Sequence, residues 1–168
     1  MGKLTPMQVD EYFAIHLPYR TRILLAHFKM RHHPDTGKFM PWTGTQSWLD
    51  AGFVAALVTA RLYLNVLGIA KNGKGTALVS FKDKSDDITV DDLGGFRVNI
   101  ASIPTAGQKM LLDFLVMTDK AAAHFTAPLP HDRTPIPKVI VMIHGYIKTH
   151  LYDVVGRTDL ETVVPESP

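Results

Sequence analysis

The chain has 168 residues, 46% of them hydrophobic and 20% charged, which gives one domain enough apolar side chains to bury a core of its own. That composition excludes a disordered or fibrous protein, and a net charge of +2 is too small to argue for nucleic acid on its own. With no cysteine, disulfides, thiolate zinc sites and cysteine nucleophiles are all excluded.

Residues 1–8 carry no basic stretch followed by an apolar one, so no secretory signal is read there and cytoplasm is the expected compartment. Thr5-Pro6-Met7-Gln8 announces the first helix: Thr5 as N-cap, Pro6 at the first helical position, and Gln8 closing a capping box. Val9, Phe13, Ile15, Ile23, Leu24 and Phe28 then recur at helical spacing. Pro18 lacks a backbone donor and clashes with the preceding turn, which predicts a kink or break near Leu17. Helix should resume over 19–31 and stop at His32-His33-Pro34.

Ser47 is the expected cap of the second helix, with Asp50 favouring its dipole and Gly68 or Asn72-Gly73 ending it. The stretch from Trp48 to Ala70 is long enough to span a bilayer, but Asp50, Arg61 and Asn65 argue for a helix buried within a soluble bundle, and no membrane is expected. Residues 71–75 read as a turn. Two short strands, at 77–81 and 96–100, predict a small β-hairpin insertion over residues 76–100. A third helix should start near Thr105, with Gln108 in capping-box register and Leu111, Leu112, Leu115, Thr118 and Ala122 facing inward. The proline-rich stretch 128–137 reads as an extended linker. Val139 to Val154 keep helical spacing, and Gly156 is the expected C-cap. The fold class is therefore mainly α: a four-helix-bundle-like single domain over 1–156, with 157–168 as a flexible tail.

Among motifs, Gly73-Lys74-Gly75-Thr76 lacks the upstream glycine and the strand-to-helix setting of a phosphate loop and reads as a turn. No HExxH motif and no His pair four apart on one helix argues for a metal site. His32, His33 and Asp35 could grip a metal only opportunistically, and no metal or cofactor is expected. No GxSxG elbow is present. Asp86-Asp87 and Asp91-Asp92 read as solvated turns.

Basic and imidazole groups at helical spacing are more suggestive. Arg22 and His27 share the first helix, with His16 and Arg20 one turn earlier, and Lys120 and His124 share the third. A cation beside an imidazole can steady a phosphate while the ring exchanges a proton. The stretches from Arg22 to His27 and from Lys120 to His124 resemble the Arg-x4–6-His motif of HEPN-type helical bundles. Here Ile23 stands where that family has a polar residue, and Lys120 stands in for the Arg with a spacing one short. The resemblance implies an RNA-cleaving or nucleotide-binding bundle that uses Arg22, His27, Lys120 and His124. Set beside it, the leading expectation is a small soluble bundle that is not an enzyme and acts by binding, with itself as homo-oligomer or with a protein partner.

Overall fold

The computed structural model describes residues 3–26, 43–123 and 135–160, apart from the side chains of 120–123 and 135. Among these residues the chain is mainly helical, with four helices and one two-stranded antiparallel sheet.

The first helix, α1, runs through Pro6–Glu11, a π-helical turn Tyr12–His16, and Leu17–Leu24. Its start is as expected: the Thr5 side chain accepts from the Gln8 amide, and the Gln8 side chain accepts from the Thr5 amide at 2.8 Å. Pro18 neither breaks nor ends it. The π turn lies just before Pro18, and the Leu17 amide reaches back five residues to the Tyr12 carbonyl. A π turn widens the ladder where the proline ring would otherwise strike the carbonyl four residues back, so the helix continues through the proline. The expected stop at His32-His33-Pro34 lies outside the described residues.

Helix α2 spans Gln46–Val66, with Thr45 as N-cap in place of Ser47, which sits one residue inside the helix. Gly68, at φ +84°, follows the C-cap as the sequence suggests. In that left-handed conformation glycine avoids a Cβ clash, and a Cβ there would press into the Arg97 side chain.

The β-structure corrects the expected hairpin over 76–100. Strand β1, Ile69–Lys71, pairs with β2, Leu78–Ser80, in the register Ile69 to Ser80. The turn joining them is fastened by Asn72, whose amide reaches the Ala77 carbonyl and whose side chain accepts from the Thr76 amide. Residues 96–100 form no strand. Instead the Val98 amide bonds to the Leu67 carbonyl and the Phe96 amide to the His150 carbonyl, so this segment straps two helix ends together. Between β2 and the strap, Thr89 caps a 3-10 helix, Val90–Leu93, which ends at Gly94.

Helix α3 spans Thr105–Ala123. Gln108 makes no capping box there; its side chain donates to the Ile103 carbonyl at 2.8 Å. Helix α4 spans Pro135–Ile147 and continues as a second π turn, Lys148–Tyr152. Residues 135–137 of the expected linker 128–137 are therefore helical, and the rest of that stretch lies outside the described residues. Two prolines fit the first turn of α4 because amides there have no intrahelical partner to lose. Leu57, Leu64, Leu67, Leu111, Leu115, Ile143 and Ile147 are all buried, as inner-stripe residues should be. One apolar cluster runs from Phe13 to Leu160 and draws on all four helices.

Candidate functional site: a cleft beside an apolar helix face

Tyr12, His16 and Arg20 follow one another at intervals of four along α1, and all three line a cleft of about 220 Å³. The Tyr12 and His16 rings lie 4.8 Å apart, and the His16 Nε2 is 3.7 Å from the Glu11 carboxylate. Helix α2 supplies the second wall through Leu62, Tyr63, Asn65 and Val66. The third wall is the segment after β2, with Phe81, Asp86, Asp87 and Ile88, backed by Leu93.

Charge holds that third wall in position. Lys3 donates to the Asp83 carboxylate at 3.0 Å and to the Asp87 carbonyl at 2.7 Å. Arg97 donates to Asp91 at 2.6 Å, to Asp83 at 3.1 Å and to the Phe81 carbonyl at 3.2 Å. Hydrogen bonds from Lys3 and then Arg97 hold the Asp83 carboxyl at about 2, well below the usual carboxylate range. The sequence reading of this segment as a solvated acidic turn missed its two cations, because both come from distant positions.

At the floor, Tyr63 is buried, and its hydroxyl donates to the Leu17 carbonyl at 3.2 Å and lies 3.0 Å from the Thr21 hydroxyl. Burial pushes its phenol up to about 12, while Thr21 and the nearby Arg20 charge oppose the shift. Arg20 itself is half-buried. Among the described residues its guanidinium forms no hydrogen bond or ion pair with another side chain.

The cleft opens onto an apolar line along α2. The exposed residues there are Ala51, Val54, Val58 and Leu62, spaced by three and four as a packing seam requires, and Val58 is 41% exposed. The only charges on α2 are Asp50 and Arg61. Arg61 pairs with Asp119 of α3, which Lys71 also reaches at 2.6 Å. Burial pushes the Asp119 carboxyl up, but the two cations outweigh it and leave it below its ordinary value. Among the described residues α2 is the one helix long and apolar enough to cross a membrane.

Of the four residues singled out by the sequence, Arg22 is exposed on α1 and Lys120 lies on α3. His27 and His124 lie outside the described residues, as do His32 and His33. The cleft gathers instead His16 and Arg20, six and two residues before Arg22. The spacing of Tyr12, His16 and Arg20 was the available signal, but only the fold brings Asn65 and Asp86 to face it. Among the described residues no three His, Asp or Glu side chains converge as a metal site would need. Comparison of the chain with family models, with curated proteins and with solved structures finds no match.

Proposed function

We propose that this chain is a four-helix-bundle-like binding protein, not an enzyme, that works as a homo-oligomer through the outer face of α2. The observation that carries the reading is the line Ala51, Val54, Val58 and Leu62, apolar and exposed over about three turns. A surface helix of a monomer normally turns a polar stripe to water. An exposed apolar face depleted of charge is what the core of an interface presents.

The scarcity of charge along the line favours a second copy as the occupant. A two-fold axis crossing α2 near Ala56 would set Val54 of one copy against Val58 of the other, while Arg61 stays with Asp119 of its own chain. Such an isologous contact covers the same apolar line on both copies at once. Val58→Glu would bury a carboxylate with no cation facing it, which costs several kcal/mol.

Sedimentation equilibrium of the wild type and of Val58→Glu tests the reading. A dimeric wild type and a monomeric, folded variant are expected. A wild type that stays monomeric throughout its soluble range overturns self-association, as does one that sediments with phospholipid vesicles through the same face.

A further inference from the structure

The cleft between α1 and α2 is built from two walls of opposite charge over an apolar floor. On one wall, Arg20 holds a half-buried guanidinium that makes no hydrogen bond or ion pair with the side chains described, with the His16 ring one turn away. A guanidinium presents five N–H donors in a planar fork suited to a carboxylate. Its neighbour Tyr63 supplies no acceptor to spare, because that hydroxyl already serves Leu17 and Thr21. Asn65 lines the same cleft and adds an amide.

Across the cleft stand Asp86 and Asp87. Asp87 is engaged, with one carboxylate oxygen accepting from the Lys84 amide at 2.7 Å. Asp86 has no partner among the described residues and stays outside salt-bridge distance of Arg20. A simple anion at Arg20 would face two carboxylates, and a simple cation at Asp86 would face the guanidinium. A ligand carrying both charges satisfies both walls. Leu62, Val66 and Ile88 leave apolar surface for what joins them. At about 220 Å³ the space is smaller than the roughly 300–1,000 Å³ of drug-sized sites.

We propose that this cleft binds a small zwitterion of the apolar amino-acid class, its carboxylate on Arg20 and Asn65 and its ammonium on Asp86. The cleft shares only Leu62 with the apolar line of α2, and its charged residues Arg20 and Asp86 lie off that line. The Val58→Glu variant should bind as the wild type does, so failure of one reading leaves the other standing.

Calorimetric titration of the full chain with leucine, methionine and phenylalanine tests the proposal, alongside 4-methylpentanoate, which lacks the amine, and isopentylamine, which lacks the carboxylate. At least one amino acid should bind about tenfold or more tighter than either singly charged analogue. Arg20→Gln and Asp86→Asn, neither of which removes a side-chain hydrogen bond among the described residues, should each weaken that amino acid by a similar factor while leaving the thermal midpoint unchanged. Equal binding of 4-methylpentanoate and leucine overturns the proposal, since the site would then read a carboxylate alone. So does full affinity in Arg20→Gln, or binding by none of the three amino acids.

Discussion

Tyr63 joins α1 to α2 through a phenol that bridges the Leu17 carbonyl and the Thr21 hydroxyl inside the core. Tyr63→Phe would leave the fully buried Thr21 hydroxyl without that partner, at a cost of about 1–3 kcal/mol in urea unfolding. The same phenol sets an alkaline limit. Its folded value of about 12 stands above the ordinary 10, so the folded state favours the protonated form. The stability this contributes is present below pH 10 and is lost as pH rises toward 12. Wild-type thermal midpoints should fall more steeply over that window than those of Tyr63→Phe, and equal slopes would contradict the assignment. In the sequence this tyrosine reads only as part of an apolar helix. Its partner Thr21 lies 42 residues away, on the helix where charged neighbours drew attention first.

The two π turns show what helical periodicity could and could not supply. Thr5, Pro6 and Gln8 specify the start of α1 by local hydrogen bonds alone, and that start was fully legible. Pro18 was legible as a disturbance, but not as a π turn, because the widened ladder is one of several ways a helix can accommodate the ring. The second π turn has a long-range cause that the sequence hides. Phe96 donates its amide to the His150 carbonyl, and the His150 ring reaches back to the Phe96 carbonyl at 3.1 Å. Their rings also meet at 4.7 Å. A strap at 96–100 alternates like a strand yet finds a helix end as its partner. Gly95 permits the approach, since a Cβ there would collide with the His150 backbone carbonyl. Gly95→Ala should therefore separate the strap from α4 and destabilise the protein by about 1–3 kcal/mol, as overpacking does. Gly73→Ala, in the open hairpin turn where a Cβ meets nothing within 4 Å, is the matched control in the same denaturant series.

At the scale of the whole molecule, the core was legible and the surface was not. Leu64, Leu111 and Ile143 could be assigned inward because their spacing repeats within single helices. The cleft draws on α1, α2 and the segment after β2, three stretches that no local pattern connects. What holds them together at the N-terminal side is electrostatic: Lys3 and Arg97 converge on Asp83, with Asp91 and the Phe81 carbonyl completing the set. Exposed ion pairs taken singly contribute little, whereas one carboxylate shared by two cations forms a network. The Asp83 carboxyl stands at about 2 in the folded chain, against the ordinary 3.8. A depressed acid stabilises the fold at pH values above its ordinary range and loses that contribution as pH falls through the folded value. Between about pH 4 and pH 2 the wild type should therefore lose thermal stability that Asp83→Asn has already lost at neutral pH. Because Lys3 also holds the Asp87 carbonyl, the third wall of the cleft should loosen with it. Amide hydrogen exchange across residues 81–93 should then quicken in Asp83→Asn at neutral pH and in the wild type only under acid. Unchanged exchange there in Asp83→Asn would assign the wall's rigidity to the Arg97–Asp91 pair and the Thr89 cap instead.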